Sequence, residues 1–267
     1  MQTAGAPPDP TADRSPRAEP SLSLVIPAYN ESARIVATVT TAAEWLAQQP
    51  YRTELIVVDD GSEDDTADLA EAALAGVAGG YLVRATHGGK AAAVRAGMLS
   101  STMEQIAFSD ADLATPLPYL NDLRAALAAG ADVAIGSREG AGAQRIGEPP
   151  YRHLMGRVFN GLVRVLITPG IHDTQCGFKL FQAPVARDIL RRSRLYAGEP
   201  RGVAGPRVTA FDVELLAIAR ARGYRIATAP VVWTYGRGSK VRPAHDTWHN
   251  LRDVLHVWID AKRGRYQ

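Results

Sequence analysis

The chain reads as an α/β protein with a mostly parallel central sheet covered by helices on both faces. Three observations predict it. From Ser21 to Gly136, short apolar runs alternate with segments of helical period, the rhythm of strand–helix–strand units. Two of the runs end in acidic clusters, LIVVDDGSEDDT and IAFSDADLATP, and an open α/β sheet places its ligands beyond the carboxyl ends of its strands. The composition, 46% apolar and 22% charged over 267 residues, is enough to fill one large domain.

The elements follow in order. Residues 1–20 hold Pro7, Pro8, Pro10, Pro16 and Pro20 among small and charged residues, and read as a disordered tail. Leu22 to Pro27 is a short strand. Asn30 or Ser32 is placed to cap a helix in which Ile35, Val39, Ala42 and Leu46 share a face. Leu55 to Val58 is the second strand, and Ser62 is placed to cap a helix carrying Leu69, Ala73 and Leu74. Tyr81 to Arg84 is the third strand. Gly88, Gly89 and Lys90 open a helix of small residues that runs through Leu99. Ile106 to Phe108 is the fourth strand, Pro116 and Pro118 start a helix through Ala129, and Asp132 to Ile135 is the fifth strand.

After Gly136 the rhythm changes. Residues 138–150, rich in Gly, Pro and charge, read as a mobile loop. Arg152 to Ile167 is helical, with Met155, Val158, Phe159, Leu162 and Leu166 as its apolar residues. Residues 193–207 form a second polar stretch, 210–222 a helix, 225–233 a strand, and Asp246 to Lys262 an amphipathic terminal helix. No internal repeat is visible.

Composition also excludes. A net charge of +2 argues against general nucleic-acid binding. Nearly all of the 30 positive residues are Arg, which suits bidentate phosphate contacts and is equally a mark of GC-rich coding. The single Cys176 excludes an internal disulfide and a cysteine metal cage. No run reaches the roughly 18 apolar residues of a membrane span, and the first twenty residues carry no signal-peptide core.

Asp110 and Asp112 present hard oxygen ligands at a strand end, a pair suited to Mg²⁺ or Mn²⁺ bridging a diphosphate. The motifs VIPAYNE (25–31), VVDDGSEDDT (57–66), GGKAAAVRAGM (88–98), SDADLATP (109–116), GSR (136–138), DTQCGFKLF (173–181), FDVELL (211–216) and GSKVRP (238–243) together resemble the inverting family 2 glycosyltransferases of GT-A fold. Within them the chain is most similar to the polyprenyl-phosphate sugar synthases, especially the dolichyl-phosphate β-glucosyltransferase type. VVDDGS marks only the broad family, whereas DTQCGFKLF and GSKVRP are specific to that branch. The resemblance runs over about residues 21–258.

The resemblance implies roles. Pro27, Ala28, Tyr29, Asn30 and Glu31 would line the nucleoside pocket, with the Tyr29 ring against the base and Glu31 near the ribose. Asp59 would accept from base or ribose, and Asp60 would support the loop. Gly89 and Lys90 would lie beside the nucleotide, where glycine amides and a helix amino end favour an anion. Ala111 would line the nucleotide between the two metal-holding carboxylates. Some relatives have a Gln two positions after the second Asp. Here that position is Ala114, which slightly favours the glucosyl over the mannosyl branch.

The acceptor follows from chemistry. A hydroxyl acceptor needs a base, but a phosphate monoester, with a second pKa of about 6, is already an oxyanion at neutral pH and needs only positive charge to aim it. Arg138, Arg152, Lys179 and Lys240 are the candidates, with Arg138 and Arg152 on the phosphate by the family pattern. Asp173 and Gln175 would contact sugar hydroxyls, or Asp173 would orient the acceptor. Asp212 is assigned to the donor sugar, and Glu214 sits in the same acidic stretch. Asp112, Arg138, Arg152 and Asp212 are thus the expected catalytic set.

The expected reaction moves a hexose, glucose from UDP-glucose, onto a polyprenyl or dolichyl phosphate. The alternatives are GDP-mannose as donor, a soluble hydroxyl acceptor, or a non-catalytic nucleotide-sugar-binding module. One domain is expected over 21–267, with a nucleotide-sugar half (21–137) and an acceptor half (138–267). Trp248, Leu251, Leu255, Trp258 and Ile259, followed by Lys262, Arg263 and Arg265, form a stripe that suits either a bilayer surface or docking on the protein's own core. Arg152 to Ile167 carries the same ambiguity. The expected location is cytoplasmic, peripheral on the inner face of the cell membrane, with no nucleic-acid partner.

Overall fold

The computed structural model describes residues 19–195, 210–236 and 243–267, without the side chains of Arg152, Leu154 and 243–249. The sheet is built around β1 (Leu22–Ala28), an interior strand buried along its whole length. It pairs in parallel with β2 (Thr53–Asp59) on one side and β4 (Gln105–Phe108) on the other. β3 (Gly80–Arg84) extends β2 in parallel. Beyond β4 come β7 (Lys179–Gln182), β5 (Val133–Ser137) and β8 (Ile226–Pro230), giving the order β3-β2-β1-β4-β7-β5-β8. β7 is antiparallel to both neighbours and the other strands share one direction, so the sheet is mostly parallel, as the sequence predicts.

Side chains alternate across this sheet. Leu22, Leu24 and Ile26 point toward α1 (Ile35–Ala47), α2 (Thr66–Leu74) and α4 (Leu120–Ala128), the last entered through a 3-10 turn at Leu117–Tyr119. Val25, Ile56 and Val58 point the other way, toward α3 (Lys90–Ser100), α6 (Ala183–Arg192), α7 (Phe211–Ala221) and α8 (Pro243–Lys262). α3 is made of small residues because it lies very close to the sheet. A Cβ at Gly97 would collide with Val25 and come within 2.8 Å of Val58 Cγ2. That close seat sets Lys90, the first residue of α3, over the strand ends.

Several expectations need correction. Neither Asn30 nor Ser32 caps α1, whose cap residue is Arg34, and Ser62 does not cap α2, which follows Asp65. Asn30 takes a left-handed φ of 51° and its amide donates to Ser62 Oγ at 2.9 Å, while its Oδ1 accepts from the Glu63 amide at 2.8 Å. These polar residues join two strand-end loops rather than closing helices, a competing use of the same side chains. β7 and α6 do not show in the sequence pattern: KLFQ is only four residues long with a lysine inside it, and α6 begins at a proline-bearing turn.

Within 138–150, expected as a mobile loop, β6 (Gln144–Ile146) pairs in parallel with β9 (Val232–Thr234). The expected 225–233 strand is therefore two strands, broken at Val231, whose amide donates to the Ser137 carbonyl at 3.0 Å. α5 spans Pro150–Leu166. The tail expected at 1–20 lies outside the described residues except for Glu19 and Pro20, which Arg124 holds through Pro20 O at 2.9 Å. The 193–207 stretch is described only to Leu195, and Lys240 and GSKVRP to Arg242 lie outside the described residues.

Candidate active site

The candidate site residues of the first half gather at the carboxyl ends of β1, β2 and β4. Pro27 and Ala28 are buried at the end of β1, with Tyr29 following them half-buried. The Tyr29 ring stacks on His87, centroids 4.2 Å apart and planes 17° from parallel. Glu31 pairs with Arg34 at 2.9 Å, and its amide donates to Thr66 Oγ1 at 2.7 Å.

At the end of β2, Asp59 and Asp60 divide the work. Asp60 is 2% exposed and holds the loop before α3. It accepts from the Gly88 amide at 2.9 Å and the Gly89 amide at 2.8 Å, and His87 Nδ1 lies 2.9 Å from its Oδ2. The anion cradled by these amides is therefore Asp60 itself, a correction to their expected use on a ligand. Asp59 Oδ2 accepts from the Ser62 amide at 3.2 Å, but its buried Oδ1 has no hydrogen-bond partner. A buried carboxylate oxygen left unbonded is costly and points to a donor supplied by a ligand.

At the end of β4, Asp110 ion-pairs with Lys90, and Asp112 Oδ1 accepts from the Ala114 amide at 3.1 Å. Ala111, buried between them, gives its carbonyl to Thr38 Oγ1 at 2.6 Å. Leu113 holds a left-handed φ of 46°, which turns the chain back so that its amide reaches the Asp110 carbonyl. The protein around Asp112 and then the charge of Asp110 push its carboxyl above the ordinary range. Burial works against the Lys90 charge, but Asp110, Asp212 and Asp112 outweigh it and hold the ammonium above its usual pKa. Gly177 is part of this arrangement, because a Cβ there would collide with the Asp110 carboxylate.

The second half of the cleft is built from closed ion pairs. Arg138, just after β5, forks onto Asp173, with Nε 2.7 Å from Oδ2 and Nη2 2.8 Å from Oδ1, and the Arg138 amide adds a third bond at 2.9 Å. Asp173 is fully buried, and although burial opposes its charge, Arg138 brings its pKa down to about 2. Both oxygens expected to meet sugar hydroxyls are thus taken. Lys179, expected to face an acceptor phosphate, is also fully buried, with Nζ 2.5 Å from Asp212 Oδ1 and from the Cys176 carbonyl. Strand β7 carries it into the interior. Gln175 is half-buried, and the Arg152 side chain lies outside the described set.

Asp212, in the first turn of α7, acts on Lys90 as well as Lys179, so it belongs to the cleft. Glu214 does not. It is fully buried and accepts from Ser193 Oγ, the Arg194 and Leu195 amides and Tyr266 O–H, a structural clasp.

Residues 23–190 match the family model described as Glycosyl transferase family 2. The dolichyl-phosphate beta-glucosyltransferase of Drosophila melanogaster is 33% identical across 94% of this chain and 77% of its own length. The human protein of the same name is 36% identical across 92% and 77%. The chain belongs to glycosyl transferase family 2.

A solved glucosyl-3-phosphoglycerate synthase from Mycobacterium tuberculosis, in complex with Mn²⁺, uridine diphosphate and phosphoglyceric acid, matches with a TM-score of 0.63 at 20% identity, covering 91% of this chain and 78% of that one. The likeness identifies the fold as GT-A. Among the described residues no cluster of three or more His, Cys, Asp or Glu forms a metal site. Asp110 and Asp112 present the hard oxygen ligands that suit a divalent ion, with further ligands left to a diphosphate, water or another residue.

The sequence reading missed three contributors. His87 immediately precedes the Gly-Gly-Lys turn and carries no metal spacing of its own. Trp233, in β9, lies 5.3 Å from the Arg138 guanidinium and 6.0 Å from that of Arg145. Arg145 is bound to Glu139 at 3.0 Å and Glu148 at 2.9 Å, fastening the 138–148 loop. Strand β9 reaches the Asp110–Ala114 turn as well, since the Thr234 amide donates to the Ala114 carbonyl at 2.9 Å.

Proposed function

We propose that this family 2 enzyme transfers glucose from UDP-glucose, with inversion, onto a polyprenyl or dolichyl phosphate at a membrane surface on the cytoplasmic side. The observation that carries the donor side is the open acidic turn Asp110–Ala111–Asp112 facing Lys90. The relatives named as dolichyl-phosphate β-glucosyltransferases support the sugar and the acceptor.

Asp59 Oδ1 is the acceptor for a donor group of the base, the Tyr29–His87 stack is its wall, and Glu31 serves the ribose. Asp110 and Asp112 would hold Mg²⁺ or Mn²⁺ together with the diphosphate. When bound, the ion neutralises charge that develops on the departing diphosphate. Lys90 is the protein's own cation at that place, exchanging Asp110 for a phosphate oxygen. Asp212 shapes the sugar side from α7. Arg138, fixed by Asp173 and flanked by Trp233, aims the acceptor phosphate with Arg152 and Lys240. Lys179 is removed from that set because its charge is bound to Asp212 in the interior. No general base is needed, since the acceptor phosphate is already an oxyanion, and its line of approach is what the arginines set.

The test is transfer of labelled glucose from UDP-glucose to a short polyprenyl phosphate, with Mn²⁺ or with EDTA. Metal-dependent label in the lipid phase is expected. Label that stays in water while UDP still binds would leave the nucleotide site standing and remove the acceptor assignment.

A further inference from the structure

Nine large apolar side chains are exposed among the described residues, and five of them sit on the single helix α5. Tyr151, Met155, Val158, Leu162 and Val165 are 60%, 42%, 68%, 38% and 76% exposed. Their spacing of four, three, four and three draws one continuous stripe along the helix. The opposite face is the docked one: Val163 is fully buried, and Asn160 is buried and accepts from Thr174 Oγ1 at 3.2 Å. α5 contains no Asp or Glu, and Arg157 and Arg164 are exposed on the flank between the stripe and the docked face, Arg164 lying 3.0 Å from His172 Nδ1.

The terminal helix α8, offered by the sequence as an equal candidate, behaves differently. Val254 and Val257 are fully buried against the core with Asn250 and Asp253, and of its described large apolar side chains only Leu255, at 44%, is exposed.

We propose that the α5 stripe is the face by which this protein seats itself in the interface of an anionic lipid bilayer. The inference rests on the lipid-linked acceptor reading above and names the surface that serves it. Apolar side chains flanked by cations, with no acid on the helix, match the acyl boundary and anionic headgroups of such a surface. A second copy is the poorer occupant. Two such stripes face to face bring arginines together with no acidic partner on either helix, and five partly exposed side chains fall short of the roughly 800 Å² per partner of a stable interface. The location fits the chemistry, because Thr174, bonded to α5, adjoins the Asp173 that fixes Arg138.

The experiment uses the full chain and vesicles of phosphatidylcholine with or without phosphatidylglycerol. The wild type should co-sediment with the anionic vesicles. Val158→Asp/Val165→Asp should reduce that binding by at least about tenfold, since two apolar anchors are replaced by charges the headgroups repel. Leu255→Asp on α8 should leave it unchanged. Transfer onto a short-chain acceptor in detergent should be the same for the double variant and the wild type, whereas transfer onto acceptor embedded in vesicles should fall with binding. The proposal is overturned if the wild type stays in the supernatant, or if the double variant sediments like the wild type. It is also overturned if sedimentation velocity shows a dimer that the double variant splits while vesicle binding persists. If vesicle binding depends on α5 but no acceptor lipid is glucosylated in any format, the docking face stands and the acceptor reading falls.

Discussion

Asp110 and Asp112 lie side by side in the cleft with Lys90 as their shared cation, whereas Asp173 and Asp212, deeper and fully or nearly fully buried, are each closed onto a cation of their own. Four aspartates of one site thus fall into two classes. In the open pair, burial first and then the charge of Asp110 hold the Asp112 carboxyl above its ordinary pKa, and a bound cation would relieve the second of these. The closed pairs have no such repulsion to relieve, since each carboxylate is bonded to its own cation, and on the proposed reading they hold Arg138 and the start of α7 in place. Removing an open carboxylate should therefore damage chemistry and spare the fold, and removing a closed partner should do the reverse.

The sharpest break of that comparison is Asp112→Ala. Transfer should fall by about 10³-fold or more, on the order of 4 kcal/mol in the barrier, if Asp112 holds the divalent ion proposed above. The melting temperature should stay near wild type, since the side chain accepts one hydrogen bond, from the Ala114 amide, in an exposed turn. Near-normal transfer by this variant would dissolve the distinction between open and closed carboxylates.

Lys179→Met tests the closed class. It leaves Asp212 buried without its ammonium, which costs about 3–5 kcal/mol of stability. The double variant Lys179→Met/Asp212→Asn should recover most of that loss by denaturant unfolding. Its transfer should stay depressed, because Asp212 also acts on Lys90. Recovery of activity along with stability would make Asp212 a structural residue only.

Gly177→Ala probes the boundary between the classes. The added Cβ meets the far end of the Asp110 side chain, which can swing aside at little cost to the fold. A carboxylate displaced by about 1 Å should lower transfer by roughly 10²-fold. A matched loss of stability would show instead that Gly177 is needed by the backbone.

The open class was legible in the sequence and the closed class was not, for a physical reason. Asp59, Asp110 and Asp112 follow directly on apolar strand runs, so local pattern alone puts them at strand ends. The partners of Asp173 and Asp212 lie 35 and 33 positions away and meet them only through the sheet. Lys179 carried a misleading signal: a lysine in a short motif reads as solvated until β7, an antiparallel strand too brief to show a period, takes it inside. The fold shows the same division. The five strands up to Ser137 follow from alternation, while β6, β7 and α6 depend on tertiary pairing. Helix α5 reads as a helix from the sequence, but its exposed face could not be told from a buried one, because apolar period records amphipathicity and not what covers it.

The smallest effect isolates the closed Arg138–Asp173 pair by its pH dependence. Asp173 has a folded pKa of about 2, below its ordinary carboxylate value, so its charge stabilises the fold at neutral pH. That contribution is fully present above the unfolded pKa of about 4 and is lost as pH falls through the folded value. The lowering from about 4 to about 2 is worth roughly 2–3 kcal/mol. Asp173→Asn should be less stable than wild type by about that amount at pH 7, and the gap should narrow as pH is taken from about 4 toward 2. Denaturant midpoints of both proteins across that range give the difference directly. A gap that stays constant with pH would mean that Asp173 acts by shape and hydrogen bonding alone, and the contrast between stabilising and catalytic carboxylates would then rest on Asp212 only.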